Sequence, residues 1–354
     1  MKRVFFVAVF AQILITLFFV SCENDRYGYK YSLGEFPIIP VNFEDLNTEY
    51  DDYNAAAPTE GGAFEFLFSS NRNTKGGNFD IVYKWVEIIF SKSDGKLSIK
   101  AYDIEDYLDE FWYNTRRYYT HNALPKINTL SNEMGPYLIP LGSIEGHNPN
   151  YIHSSLLLYS SNNDSGFHDI LFTHNRGSYY PTENYIDPVK VKYLNSDFDD
   201  MYPTFNKNRS EIYFSSNRES NFSIYKVSVN NRINVIDVLS QDSDINVEKV
   251  NVLSSDYDDT CPYIIGDLMV FASNRPGGYG GYDLYYSENI DGEWQPPVNF
   301  GSNINTEYDE FRPIIRSERG FKNDLMFFSS NRIGGKGGFD LYYVGIDKII
   351  GVEY

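Results

Sequence analysis

Four short acidic segments place carboxylates where they could do acid–base chemistry or bind a cation. They are NTEYDD (47–52), NSDFDD (195–200), SSDYDD (254–259) and NTEYDE (305–310). Paired carboxylates serve as acid and base in glycoside hydrolysis, and several together can bind calcium. A catalytic site needs different groups at each position, whereas these segments repeat the same ones. Their recurrence favours a structural role, in which short acidic side chains close turns and pair with arginines.

A second pattern recurs five times and indicates a β-hairpin in each copy. The copies are FLFSSNRNTKGGNFDIVY (66–83), LLYSSNNDSGFHDILF (157–172), IYFSSNRESNFSIY (212–225), VFASNRPGGYGGYDLYY (270–286) and FFSSNRIGGKGGFDLYY (327–343). Apolar residues alternate on both sides of a tip that is rich in turn formers. The asparagines at 71, 162, 217, 274 and 331 are separated by 91, 55, 57 and 57 residues. About 57 residues is the size of one four-stranded propeller blade.

The strand, Ser-Ser-Asn-Arg, glycine and aromatic-Asp-Leu-Tyr pattern resembles the TolB-type, WD40-like β-propeller repeat of bacterial envelope proteins. The resemblance extends from Gly34 to Tyr343. It implies an all-β fold, which we expect to be a five-bladed propeller of four-stranded blades spanning 34–354. The stretch Pro-Val-Asn-Phe at 40–43 repeats that at 297–300, so the N-terminal segment is expected to supply the missing outer strand of the last blade and close the ring.

Blade one is longer than the others and is expected to carry an insertion at about 91–135. We place the insertion between a third strand at 79–90 and a fourth near 137–141, which would make it project from the face opposite the acidic turns. Apolar residues from Ile104 to Trp112 have helical spacing and predict a short amphipathic helix there. Such a helix could dock a partner, or simply pack on the ring. Blade two has IEGHN (144–148) where its acidic segment is expected.

Arginine and aspartate stand eight residues apart across three hairpin tips. The pairs are Arg72 with Asp80, Arg275 with Asp283, and Arg332 with Asp340. An ion pair across the tip would stiffen each hairpin. Blade two keeps Asp169 without an arginine, and blade three keeps Arg218 without an aspartate. Some of these arginines are therefore expected to bond elsewhere, to carbonyl groups or to the acidic turn of the next blade.

The sequence offers little for metal or nucleophilic chemistry. The five histidines lie at 121, 147, 153, 168 and 174, without a spacing typical of zinc ligands, and His168 stands where other copies have an aromatic residue. No Gly-x-Ser-x-Gly, Walker, HExxH or CxxC motif occurs. We therefore expect no catalytic residues, metal site or cofactor, with calcium at the acidic turns as the one alternative.

The first residues predict export and a lipid anchor. Lys2 and Arg3 precede an uncharged run that ends in Leu-Phe-Phe-Val-Ser-Cys, which resembles a bacterial lipobox. Residues 1–21 are expected to be a signal peptide, Cys22 the lipidated residue and 22–33 a tether. Only Cys261 then remains, so no disulfide can form within the mature chain.

The net charge of −19 disfavours binding to nucleic acids. We expect a protein anchored to the outer membrane, on its periplasmic side or at the cell surface. The predicted function is non-catalytic binding of an envelope protein or a glycan on a rigid ring face. The alternative is a glycoside hydrolase or lyase that uses carboxylates of that face. The binding-face candidates are Asp51, Asp199, Asp258, Asp309, Arg72, Arg218, Arg275 and Arg332.

Overall fold

The chain folds into five antiparallel sheets arranged as the blades of a propeller. The computed structural model describes residues 29–58, 62–103, 120–141, 154–162, 166–176 and 184–349. Strand β1 (Val41–Asn42) precedes blade one, which comprises β2 (Asp52–Ala56), β3 (Ala63–Ser70), β4 (Asp80–Phe90) and β5 (Leu97–Tyr102). Blade two comprises β6 (Glu133–Pro140), β7 (Ser155–Ser161), β8 (Asp169–His174) and β9 (Val189–Lys190).

The remaining three blades follow the same order from the channel to the rim. Blade three comprises β10 (Asp200–Phe205), β11 (Glu211–Glu219), β12 (Asn221–Ser228) and β13 (Glu248–Lys249). Blade four comprises β14 (Asp259–Ile265), β15 (Leu268–Ser273), β16 (Asp283–Ile290), β17 (Glu293–Trp294) and β18 (Val298–Asn299). Blade five comprises β19 (Glu310–Arg316), β20 (Asp324–Ser330) and β21 (Asp340–Ile346), with β1 as its outer strand. The predicted all-β, five-bladed propeller is confirmed.

The N-terminal strand closes the ring, as predicted. Val41 pairs with Tyr343 and Asn42 with Tyr342 in antiparallel register. The Phe36 ring stacks on Phe321 of blade five with 4.0 Å between centroids. The closing strand is only two residues long, but this buried aromatic contact extends its hold on the last blade.

Each second strand is apolar on both sides because it lies between two neighbouring blades. In β3 the side chains of Phe64, Phe66, Leu67 and Phe68 are all buried. Equivalent buried runs occur in the other four blades, and their side chains form the inter-blade core. Alternate side chains of one strand thus pack against different neighbours, which explains why these segments read as nearly continuous apolar runs.

All five innermost strands contain a bulge at the same position. One residue in each adopts a left-handed backbone conformation; these are Asn54, Gly135, Tyr202, Cys261 and Arg312, with φ between 48° and 61°. The strand pairing shifts register at each of these sites. A bulge leaves a ladder position unpaired, so the proline that follows in blades two to five removes no ladder hydrogen bond.

The prediction of which strands the insertion connects is wrong. The outer strand of blade one is β5, and the segment near 137–141 is the first strand of blade two. The extra residues therefore connect an outer strand to the next inner strand, so the expected position on the opposite face loses its basis. A 3₁₀ helix (Thr120–Ala123) and helix α1 (Leu124–Ile127) lie within this connection, and helix α2 (Val235–Leu239) lies in blade three. The helix predicted at 104–112 lies outside the described residues.

In the described part of the chain, no helix combines the length and the apolar character that a membrane span requires.

Candidate functional site: the acidic-turn face

The last acid of each acidic turn is buried and holds the turn closed. Asp52 accepts hydrogen bonds from the Thr48 backbone and hydroxyl at 2.6 and 2.8 Å. The same bonds join Ser196 to Asp200, Ser255 to Asp259 and Thr306 to Glu310. All four of these acids are inaccessible to solvent. The predicted structural role of short acidic side chains is therefore present in each turn.

The hairpin arginines bind these buried acids rather than the aspartates across the tip. Arg332 contacts Glu310 at 2.9 Å and donates to the Ile304 carbonyl at 2.7 Å. Arg72 pairs with Asp52 and Leu46, Arg218 with Asp200 and Leu194, and Arg275 with Asp259 and Leu253 in the same way. The predicted pairs of arginine with Asp80, Asp283 and Asp340 are wrong. The alternative partners, a carbonyl and an acidic turn, are present, but the turn belongs to the arginine's own blade.

The aspartates beyond the tip cap the hairpin instead. Asp340 accepts the backbone N–H groups of Lys336 and Gly337 at 2.6 and 3.0 Å. Asp283 does the same for Tyr279 and Gly280. The glycines of the tip permit close approach, because a Cβ at Gly337 would overlap the carbonyl oxygen of Tyr50. Each of these tips thus rests on the acidic turn of the following blade.

The middle acid of each turn joins neighbouring blades. Asp51 accepts the Phe339 backbone N–H at 2.8 Å, and Asp309 accepts that of Tyr282 at 2.8 Å. Asp199 and Asp258 bind the N–H groups of His168 and Phe222 at 2.9 Å. These four acids and the four arginines are the predicted binding-face residues. The structure brings all eight to one face, where they make the contacts that hold the turns and neighbouring blades together. Their role in ligand binding stays a prediction.

The first acid of each turn is the one that faces solvent. Glu49, Asp197, Asp256 and Glu307 are exposed. Each is followed by an aromatic residue, and the side chains of Phe198 and Tyr257 are 43% and 45% exposed. The face therefore presents four sites at which a solvent-facing carboxylate is followed in the chain by an aromatic residue, and Tyr50 and Tyr308 are half-buried.

Blade two keeps the turn, but at a place that sequence reasoning missed. Asn128 bonds both backbone groups of Ile81, at 2.8 and 2.9 Å, as Asn305 does to Leu284. Thr129 bonds Glu133 as the other turns bond their last acid. The turn is thus 128–133, and the prediction at 144–148 is wrong. The signal was present, because Ile-Asn-Thr at 127–129 repeats the Ile-Asn-Thr at 304–306.

Glu133 differs from the other buried acids in having no arginine. Among the described residues no cation pairs with it, and the sequence has Asn163 where the other hairpins carry arginine. Ser161 donates to Glu133 at 3.1 Å. Burial raises the pKa of the Glu133 carboxyl, and hydrogen bonds from Thr129 and Ser161 oppose the rise. The neutral form of this acid is therefore favoured relative to a solvated glutamate.

His168 occupies the aromatic position of blade two, as its place in the repeat predicts. Its Nδ1 lies 3.0 Å from Asp199 Oδ1. Burial raises the pKa of Asp199, but hydrogen bonds from His168 and Asn217 outweigh it, so the net shift is downward. Across the described part of the chain, no group of three or more His, Cys, Asp or Glu side chains could hold a metal ion. His147 and His153 lie outside the described residues.

The channel mouth on this face is aromatic and apolar. The aromatic position of the repeat forms a ring there. Phe79, His168, Tyr282 and Phe339 directly precede β4, β8, β16 and β21, and Phe222 is the second residue of β12. Below them, Tyr53 packs on Phe79 and Phe339 at 5.2 and 5.4 Å, and Phe311 packs on Tyr282 at 5.1 Å. Met134, Met201 and Cys261 complete this cluster. Burial raises the pKa of the Cys261 thiol to about 12, so it is no nucleophile at neutral pH.

One arginine lies across the channel beneath this mouth. Arg312 of blade five is fully buried and donates to the carbonyls of Pro136 and Pro262, at 3.2 and 3.3 Å. Its guanidinium also lies 5.2 Å from the ring centroid of Tyr202. These contacts belong to blades two, four and three, so a single side chain links four of the five blades.

The sequence matches no protein-family model and no curated protein. The structure resembles a thermostable family-43 glycoside hydrolase with a TM-score of 0.51 and 10% identity, over 88% of this chain and 95% of that chain. It resembles the endo-arabinase of Bacteroides thetaiotaomicron with a TM-score of 0.51 and 12% identity, over 90% of this chain and 100% of that chain. At these identities the likeness establishes the propeller fold alone.

The comparison corrects the expected function. A non-catalytic binding scaffold was the primary expectation from the sequence, with a glycoside hydrolase as its alternative. Both similar structures are glycoside hydrolases, which contradicts the primary expectation and favours the alternative. The expectation that the chain is not an enzyme is revised for the same reason.

Proposed function

We propose that the protein is a carbohydrate-active propeller that binds a glycan at the acidic-turn face and hydrolyses it. The observation that carries the proposal is the set of four solvent-facing carboxylates, each beside an aromatic residue: Glu49, Asp197, Asp256 and Glu307. Glycosidases use two carboxyl groups that flank the scissile bond. The shared fold with glycoside hydrolases supports the same direction.

These four carboxylates are better placed for chemistry than the other acids of the face. The middle and last acids are committed to hydrogen bonds that hold the turns and blades together. The carboxylates that contact the channel mouth, Asp199 and Asp258, are bonded to His168 and Tyr282. Acid–base chemistry on this face is therefore assigned to the four exposed carboxylates, where an aromatic ring can also pack against a sugar.

Hydrolysis is tested with a panel of polysaccharides and chromatographic analysis of the products, beginning with arabinan because an endo-arabinase shares the fold. The variants are Glu49→Gln, Asp197→Asn, Asp256→Asn and Glu307→Gln. Loss of an acid or base is expected to lower kcat by about 10²-fold or more. Asp94→Asn, at an exposed aspartate in the β4–β5 turn, is the matched control. If the wild type releases product from none of the polysaccharides, or if all four variants keep wild-type turnover, the proposal is excluded.

We also infer that the chain is a TolB-type repeat protein carried on a lipid anchor at Cys22 and held at the outer membrane. The support is the lipobox-like run before Cys22 together with the repeat pattern. Metabolic labelling with a radioactive fatty acid should mark the wild type, while Cys22→Ser should stay unlabelled and leave the membrane fraction. Equal labelling of both proteins would contradict the anchor.

A further inference from the structure

A large groove lies between blades four and five. It is formed by the β14–β15 turn, the end of β16 and the residues that follow β21, and its volume is about 760 Å³. A volume of this order accommodates a ligand the size of a short peptide or an oligosaccharide. The groove lining includes none of the carboxylates or arginines of the acidic-turn face, although it includes Ile304, whose carbonyl accepts a hydrogen bond from Arg332.

The apolar part of the groove is mainly aliphatic. Leu268, Ile304, Ile346 and Ile349 line it, and Ile290 at its edge is 51% exposed. The rings of Tyr286 and Phe300 pack on each other, with centroids 5.0 Å apart. Branched aliphatic side chains suit aliphatic partners better than the flat faces of sugars, which pack on open aromatic rings.

The rim of the groove is acidic. Asp267, Glu288, Asp291 and Asp347 line it and are exposed. Asp267 lies 3.9 Å from Lys207, a contact between two exposed side chains. Lys348 is the one basic residue among the described residues of the lining, and its ammonium group contacts Asp324 and the Glu318 carbonyl at 2.7 and 2.9 Å. The negative charge of the rim is therefore largely unneutralised by its own lining.

The acidic rim is not shared by the cleft between blades two and three. The cleft between blades two and three is smaller, about 240 Å³, and the described residues that line it include Arg176 and Arg209 and no acid. The described linings of these two clefts thus carry charge of opposite sign. Charge of one sign beside an apolar floor attracts a complementary ligand and sets its orientation.

We propose that the groove between blades four and five binds a basic peptide segment of a partner protein, in which lysine or arginine alternates with aliphatic residues. The basic side chains pair with Asp267, Glu288, Asp291 and Asp347. The aliphatic side chains between them cover Leu268, Ile290 and Ile346. This peptide site is separate from the glycan-binding face, so either function can exist without the other.

The proposal is tested by fluorescence anisotropy with the labelled peptide KIKIKI, using KSKSKS and EIEIEI as comparison probes. The wild type should bind KIKIKI with a Kd that rises with salt, and the other two peptides at least tenfold more weakly. The double variant Glu288→Gln/Asp291→Asn and the variant Ile290→Ser should each weaken binding at least fivefold. Asp94→Asn and Ile333→Ser, exposed residues away from the groove, should leave the Kd within twofold of the wild type.

Three results would overturn the proposal. Equal losses in the groove and control variants would mean that overall negative charge alone attracts the peptide. Equal binding of KSKSKS would remove the role of the aliphatic floor. Displacement of KIKIKI by a neutral oligosaccharide would assign the groove to a glycan. Thermal melting of every variant ensures that a loss of binding is not a loss of fold.

Discussion

Blade two and blade five solve the same structural problem with different side chains. In blade five, Glu310 is buried and paired with Arg332 at 2.9 Å. In blade two, Glu133 is equally buried, but among the described residues its carboxylate accepts hydrogen bonds only from Thr129 and Ser161. Both acids close an acidic turn of the same shape. The turn therefore requires a buried acceptor, while the arginine compensates the charge of that acceptor.

The middle position of the turn shows the same principle. Asp309 accepts the Tyr282 N–H at 2.8 Å, and Asn132 of blade two accepts the Phe79 N–H at 3.0 Å. An amide oxygen thus replaces a carboxylate oxygen without loss of the inter-blade bond. The recurring carboxylates at this position serve as acceptors rather than as charges.

The largest effect is expected from Arg332→Met. The substitution leaves the Glu310 carboxylate buried without its cation, which costs about 3–5 kcal/mol in the free energy of unfolding. Urea denaturation at pH 7 measures the loss. The double variant Glu310→Gln/Arg332→Met should lose less, because it leaves a neutral acceptor in the turn and no buried carboxylate without its cation. Arg232→Met, at an exposed arginine, should change stability by under about 0.5 kcal/mol. Equal effects of the two arginine variants would show that charge compensation is unimportant.

The next effect is expected from Gly337→Ala. The added Cβ would overlap the Tyr50 carbonyl, so the tip of blade five must move off the following turn. A cost of about 2 kcal/mol or more is expected in urea denaturation. Gly320→Ala is the control, because a Cβ there meets nothing within 4 Å. An unchanged free energy of unfolding in Gly337→Ala would mean that the tip of blade five and the following turn are only loosely packed.

A smaller and graded effect is expected at Asp309. Asp309→Ala removes the acceptor for Tyr282 and Asn331 and should cost about 2 kcal/mol. Asp309→Asn keeps the acceptor for Tyr282, as in blade two, and should cost under about 1 kcal/mol. The two variants compared by thermal unfolding isolate the hydrogen bond from the charge. Equal losses would show that the carboxylate charge itself is needed.

The smallest effect is the pH dependence of Glu133. Its pKa is raised in the folded protein, so the folded state binds more protons than the unfolded state above about pH 4.3, the usual pKa of glutamate. Stability from this group is complete below that pH and is lost as the pH rises through the folded pKa. Glu133→Gln should reduce the decline in unfolding free energy between pH 4 and 7. A decline that is unchanged in the variant would assign it to Glu65 and Glu310, whose pKa values burial also raises.

The fold could be predicted from the sequence because the repeats are local and regular. The alternating hairpin residues and the Pro-Val-Asn-Phe repeat together predicted five blades and the closing strand, and pairing of Val41 with Tyr343 confirms the closure. The turn of blade two was missed because Asn132 and Glu133 keep only one carboxylate of the motif. Chemical role is conserved there, while residue type is not.

The parts of the site that depend on distant contacts could not be predicted in this way. The arginines and the tip aspartates are close in sequence, but each arginine reaches the acid that begins its blade's inner strand, 16 or more residues away. The contacts of Arg312 join residues 50 and 176 positions apart. Such contacts follow from the closed ring, which brings every inner strand to one axis.

Because β1 pairs with the last blade, the propeller is suited to circular permutation. Gly345 donates to the Pro37 carbonyl at 2.7 Å, so the two ends of the described ring touch within one blade. A short linker there would join them into a continuous circle, and new termini could be cut at an exposed turn such as that around Asp94. In the permuted chain, a covalent link would replace the closure that two paired residues of β1 now provide. The same fold would then be encoded with its blades in a different order along the chain.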